Sequence, residues 1–325
     1  MKHRRGFSYA KYGYLFSLPF ILFYLLFSFY PTIFTALLGF TDSKGLGNTR
    51  FNFLAEPFTN FVTILNNKSF ILSLNNTVEI WIKNFIPQVL LALLLTEWFT
   101  NTSMKLKWQG LFKVAYYLPN IITAASIAIL FNILFNYPMG PVNDILKSLG
   151  LESVNFLVNK ATVRNIIAFI QFWMWYGYTM IILISGVLGI NPEIFESASI
   201  DGANRWQTFF RVTLPNLRTI LLYMLVTSLI GGLSMFDIPK LFMIGGPDNA
   251  SLTTSLFIFN QAFSGSYMYN RASAASMILF LIIAAGSAIL FLVMRDRDEA
   301  RLRRQEKDLI RKARQRDALA RRGMA

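Results

Sequence analysis

ESASIDGANRWQTFFRVTLPNL, residues 196–217, is polar and punctuated, yet it lies between two long apolar segments. The spacing predicts two short helices with a bend between them. Asn191-Pro192 supplies a helix cap followed by proline at the first helical position. Asp201-Gly202 ends that helix, and Asp201 can cap the second by accepting backbone N–H groups. Gly202 permits a sharp bend. Leu214-Pro215 marks where the second short helix gives way to the next apolar segment. Ala203, Trp206 and Phe210 stand at spacing 0, 3 and 7, one apolar helical face carrying an aromatic anchor of the kind a partner's groove accepts. Packing of Trp206 and Phe210 on the chain's own helices is the alternative. An ordered, polar helix pair inside a loop between apolar segments predicts a docking element.

The rest of the sequence explains those segments. The 325 residues are 54% hydrophobic, with a mean hydropathy of +0.45. Charged residues make up 15%, against about 25% in soluble domains. The expected fold is all-α, a polytopic membrane helix bundle. Six apolar stretches, 14–40, 70–98, 111–135, 163–189, 219–244 and 272–294, each approach the ~20 residues that cross a bilayer. Pro19, Pro31, Pro87, Pro119 and Pro239 predict kinks within or beside them. Residues 1–13 read as an N-terminal tail, 14–294 as the membrane domain with a loop at 190–218, and 295–325 as a basic helical tail. The first apolar run is too long for a signal-peptide core and reads as a retained span.

Lys and Arg set the orientation. The two tails, the second internal segment and the 190–218 loop hold 22 of the 31, and the opposite loops hold eight. Both termini and the Glu196-containing loop are therefore expected on the cytoplasmic side. The bias rests on the tails: without the last twelve cations it is ten to eight. This distribution accounts for the net charge of +14 without nucleic acid. The C-terminal tail reads as a solvated topology-fixing helix, with anionic lipid headgroups or a cytoplasmic protein as alternative contacts.

Several chemistries are excluded or left without support. There is no cysteine, and the lone histidine, His3, sits in a basic tail, so thiol chemistry is absent and histidine-based sites have no placed imidazole. No Gly-Lys dipeptide occurs, which rules out a phosphate-binding P-loop. The chain is not expected to be an enzyme, to carry a cofactor or to hold a metal.

Residues 196–215 also resemble the E-A-A-x-x-D-G-A…L-P cytoplasmic loop of ABC importer permeases, through Glu196-Ser197-Ala198, Asp201-Gly202-Ala203, Phe209 and Leu214-Pro215. Ser197 departs from the usual alanine, small for small. Residues 20–42, Asn76-Thr77, NYPMGPVNDIL, FDIPKLFMIGGPDNAS and RASAASMILFLII are similar to the maltose-type sugar permeases, in particular their F-type subunit without its large periplasmic insertion. The resemblance implies six core spans in a bacterial-type plasma membrane and a coupling helix that docks on an ATPase. It also implies a second homologous permease, an ATPase dimer holding ATP and Mg, an external solute-binding protein and a carbohydrate substrate. Glu196 could pair with a basic residue of the ATPase. Polyol, phosphodiester or peptide import within the same class, an ion-coupled secondary transporter and a membrane-bound enzyme are the alternatives.

Sugars present hydroxyl groups and apolar faces that lie against aromatic rings. Gln171, Trp175 and Tyr178 share a helical face at spacing 0, 4 and 7, and are expected to line a substrate pathway, with interhelix packing or an aromatic belt as the alternative. Asp237, near the outer end of the fifth span, is a further pathway candidate; Thr227, Ser228 and Ser234 are weaker ones. Glu79 and Lys83, four apart, are expected to neutralise each other.

Overall fold

A computed structural model of the chain describes residues 10–47, 50–101, 107–265 and 267–294. His3 and the basic tail at 295–325 lie outside the described residues. Among those described, the architecture is helical, with extended pairing reduced to an isolated Thr41–Phe53 bridge.

The first span is α1 (Ala10–Tyr24), a π-helical turn (Leu25–Phe29) and α2 (Tyr30–Leu38). Pro19 lies inside α1, and Pro31 opens α2. A short α3 (Thr59–Leu65) precedes α4 (Lys68–Thr100), the longest helix. Asn67 caps α4 by accepting from the Ser69 and Phe70 N–H groups at 2.9 and 3.2 Å. Asn159 does the same for α8 (Lys160–Leu188), after α5 (Gln109–Ile121), α6 (Ala124–Leu134) and α7 (Pro141–Ser148). The polar segment follows as α9 (Pro192–Ile200), α10 (Arg205–Thr208), a π-helical turn (Phe209–Thr213) and α11 (Leu214–Asn216). The chain ends in α12 (Arg218–Leu233), α13 (Asp237–Phe242), α14 (Thr254–Phe263) and α15 (Tyr269–Met294).

Five helical stretches among the described residues are long and apolar enough to cross a membrane, and six if α5 and α6 count as one span. Two of the spans, expected to carry kinks at Pro119 and Pro239, are broken. The third bends by 91° between α5 and α6. Pro119 removes a backbone donor near the end of α5, Ile122 is extended, and Thr123 caps α6 by accepting from the Ser126 N–H. The fifth breaks at residues 234–236, between α12 and α13.

Apolar side chains face outward as well as inward. α1 and α2 bury none of their side chains, and α15 buries few. The interior of α4, in contrast, holds Ser73, Asn76, Thr77, Asn84, Gln88, Thr96 and Glu97. Lipid tails are as apolar as leucine, so an apolar surface faces outward at no cost, and helices are held by close packing and polar contacts. α4 and α8 form the central pair, bridged by the Gln88 amide donating to Thr179 Oγ1 at 2.7 Å. At Gly177 of α8, an added Cβ would stand 2.0 Å from the Tyr116 carbonyl oxygen, so only glycine lets α5 approach this closely. Asn76 donates to the Asn249 and Leu252 carbonyls at 2.8 and 3.1 Å, and Thr77 Oγ1 lies 3.1 Å from Thr254 Oγ1. The Asn76-Thr77 pair therefore ties α4 to the GGPDNAS turn and α14.

Glu79 and Lys83 pair at 2.6 Å, as their spacing predicts. Arg164 Nε of α8 also lies 2.8 Å from Glu79, and Lys83 donates to Asn165 Oδ1 at 2.7 Å.

Candidate functional site: a mid-span cavity and a bent surface segment

The first candidate site is a cavity of about 420 Å³, within the about 300–1,000 Å³ typical of ligand pockets. It is walled by α4, α8 and α12 and by the break between α12 and α13. Gln171, Trp175, Tyr178 and Asp237, separated by up to 66 positions in sequence (237 minus 171), all line it. So do Thr227, Ser228 and Ser234. The Trp175 and Tyr178 rings meet edge to face, 5.6 Å between centroids.

Sequence spacing missed the opposite wall: Trp81, Asn84 and Gln88 of α4. They recur at intervals of three and four, so one face of α4 carries them. The signal was present as polar residues at mid-span in an otherwise apolar helix. Trp81 reaches the wall because Gly232 has no side chain; a Cβ there would lie 1.9 Å from Trp81 Cδ1. At the break, the Met235 carbonyl accepts from Thr253 Oγ1 at 3.0 Å, so irregular backbone beside the cavity is satisfied within the protein. Phe172 and Tyr176, by contrast, pack into the α4–α8 core.

Asp237 is the one charged side chain on the cavity wall. The cavity therefore offers hydroxyls, amides and aromatic faces with a single negative charge.

The second candidate is the bent segment. Asn191 caps α9 through the Glu193 N–H at 3.1 Å, with Pro192 at the first position. α9 ends in a Schellman turn: Ala203 N–H donates to Ala198 O at 3.0 Å, Gly202 N–H to Ser199 O at 3.1 Å, and Gly202 takes φ +73°. Asp201 is the residue at the end of α9 and is not the cap of the next helix, contrary to the expectation above. Asn204 fills that position, in a full capping box with Gln207. The N-x-x-Q spacing carried that signal; Asp201 is one residue before the left-handed glycine and three before the cap, so it belongs to the earlier helix.

Trp206 and Phe210 are 50% and 56% exposed and stack at 6.0 Å. Both leave a large part of their surface open. Phe209 between them is buried and holds the segment down. Ala203 is not on their face: it precedes the cap of α10 and turns toward a cavity of about 620 Å³ between the segment and the ends of α4 and α8. Glu196 is exposed at the edge of the same cavity. Ser197 is exposed, its hydroxyl bonded to the Glu193 carbonyl at 2.8 Å, Ala198 is buried, and Pro215 is exposed at the start of α11.

The same cavity contains an ion pair that spacing did not reveal. Arg205 Nε and a terminal nitrogen both donate to the Glu97 carboxylate at the end of α4. The Asn101 amide adds a third bond at 3.1 Å. The Glu97 side chain is 6% exposed. Hydrogen bonding to that carboxylate holds the Arg205 guanidinium above its ordinary pKa.

With this geometry in view, comparison with known proteins is direct. Residues 74–304 match the family described as "Binding-protein-dependent transport system inner membrane component". The chain is 30% identical to the lactose transport system permease protein LacF of Rhizobium radiobacter, over 88% of this chain and 94% of that one. It is 30% identical to the arabinooligosaccharides transport system permease protein AraP of Bacillus subtilis, over 85% and 86%. Its fold matches a chain of a bacterial ABC transporter involved in the import of the acidic polysaccharide alginate, with TM-score 0.74, 24% identity, and coverage of 87% and 94%.

Proposed function

Since the chain belongs to the family of binding-protein-dependent transport system inner membrane components, the multi-pass permeases of ABC importers, we propose that it forms half of the pathway for a neutral oligosaccharide. An external solute-binding protein delivers the sugar, and a second homologous permease supplies the facing wall. An ATPase dimer, holding ATP and Mg, docks on the bent segment. Both termini and that segment face the cytoplasm.

The observation that carries the substrate reading is the cavity wall. Two tryptophans and a tyrosine offer flat apolar faces to sugar rings, and Asn84, Gln88, Gln171, Thr227, Ser228 and Ser234 offer hydroxyl and amide partners. An acidic polysaccharide calls for basic partners, and the described residues that line the cavity include none. The relatives named for lactose and for arabinooligosaccharides point to the same substrate chemistry.

The bent segment supports the energetic half of the reading. Trp206 and Phe210 are half exposed as an aromatic anchor, and Glu196 and Asp201 are exposed on the same segment. ATP-driven closure of the motor would pull on this segment. The membrane bundle would then rock between outward- and inward-facing states around the cavity. The chain itself contributes binding and motion, and the hydrolysis belongs to the ATPase.

The test is gentle solubilisation of the full chain from its own membranes, mass spectrometry of what copurifies, and uptake by the reconstituted complex. Accumulation of labelled lactose, maltotriose or arabinotriose that needs ATP and the binding protein is the expected result. Uptake without a bound ATPase, or preferential uptake of an oligouronate, would overturn it.

A further inference from the structure

We propose that the Glu97–Arg205 ion pair is the latch that couples the bent segment to the wall of the substrate cavity, a role that rests on the reading above. The segment is joined covalently to α8 and α12. Residues 189–191 lead from α8 through a turn, while helical hydrogen bonds run on through Leu217 into α12. The third wall, α4, has no covalent link to the segment. Its ion pair with the segment is at Glu97, where Arg205 donates two bonds in a fork and Asn101, at the end of α4, a third.

Both ends of the latch are rigid. Arg205 is the first residue of α10, fixed by the Asn204–Gln207 capping box. Its guanidinium also lies 5.7 Å from the Trp206 ring, the anchor that faces the partner. Glu97 sits in the last turn of a single helix running to Trp81, Asn84 and Gln88 at the cavity. A forked Arg–carboxylate contact fixes orientation as well as distance, which a lysine would not. Displacement of Trp206 by a motor is thus transmitted to α4 at one end and to the substrate wall at the other. Without the pair, α4 would be moved only through apolar packing, on α8, on α12 and in the cluster it shares with Phe195 and Leu217.

Because the chain has no cysteine, labels can be placed at will. Leu94 on α4 and Ile200 at the end of α9 are both exposed. The experiment measures the L94C–I200C spin-label distance in the complete transporter with and without ATP. It also measures the ratio of ATP hydrolysis with and without sugar-loaded binding protein, using the sugar that the unaltered complex takes up. In the otherwise unaltered chain the distance stays constant within about 2 Å, the scale of helix shifts in such transitions. In E97L, where an apolar side chain fills the buried position and Arg205 can turn to solvent, the distance changes on ATP addition. The stimulation ratio falls about tenfold. R205Q does the same, and E97L/R205Q is no worse than either alone, because one interaction is lost in all three. A constant distance with a normal ratio in E97L and R205Q would overturn the latch. So would a loss of ATPase copurification with the distance unchanged, since the pair would then support docking rather than transmission. Failure of the unaltered chain to bind an ATPase would instead overturn the function proposed above.

Discussion

Gly202 shows how much one backbone angle decides. Its φ of +73° lies in the left-handed region, and a Cβ there would meet nothing within 4 Å. Any penalty on substitution is therefore conformational, about 1–2 kcal/mol for a residue with a Cβ and less for asparagine. Gly202→Asn is expected to keep uptake, Gly202→Val to reduce it, and Gly202→Pro, whose ring fixes φ near −65°, to abolish it with membrane insertion intact. Equal uptake and equal ATPase stimulation in all three would remove the bend from the mechanism. At the cavity, Trp175 and Tyr178 form one edge-to-face unit. Replacing both with alanine should abolish sugar uptake while the complex still assembles; unchanged uptake would move the substrate elsewhere. Asp237→Asn tests the charge on the wall, and the neutral-substrate reading predicts a small effect on uptake at most.

At the scale of elements, the helices are positioned by absent side chains and shared charges. Gly177 accepts the α5 backbone, and because Tyr116 main-chain atoms cannot rotate away, Gly177→Ala should reach or exceed the about 1–3 kcal/mol of ordinary overpacking. Thermal unfolding of the detergent-solubilised complex measures it. Glu79 is the common acceptor for Lys83 and Arg164 on partly exposed surface. Glu79→Leu leaves two cations in a span, each worth up to about 2.5–3.5 kcal/mol at mid-bilayer, whereas Arg164→Leu leaves a neutral pair. The first should lower the unfolding temperature more than the second. The reverse order would place the cluster in water. Helix type and the cap of α9 were legible because periodicity and Asn-Pro are local signals. The 91° bend between α5 and α6 was not, because Pro119 inside an apolar run is compatible with either a kink or a break.

For the molecule as a whole, apolar side chains cover the outside, and polar groups are set into an otherwise apolar interior. The first span and much of α15 are apolar and unburied, while α4 carries amides, hydroxyls and a carboxylate inward. Amides and hydroxyls of α4, α8 and α12 line one cavity, the proposed wall of the pathway, and the proposed second permease would supply the other. The mass of the gently solubilised complex should therefore greatly exceed the chain's 37.2 kDa. A chain that stays monomeric in mild detergent and still transports would contradict that.

The chain's residues alone suffice to read a helical membrane protein, roughly where its spans lie, and a bent polar element at residues 196–217. Those properties follow from composition, hydrophobic run length and caps, all of which act over a few residues. The tertiary structure alone brought Trp81, Asn84 and Gln88 opposite Gln171, Trp175 and Tyr178, and joined Glu97 to Arg205 across 108 positions. Such meetings depend on which faces of two helices pack together. Glycine positions, breaks in α12 and crossing geometry set that choice, and none of them leaves a periodic mark along the chain.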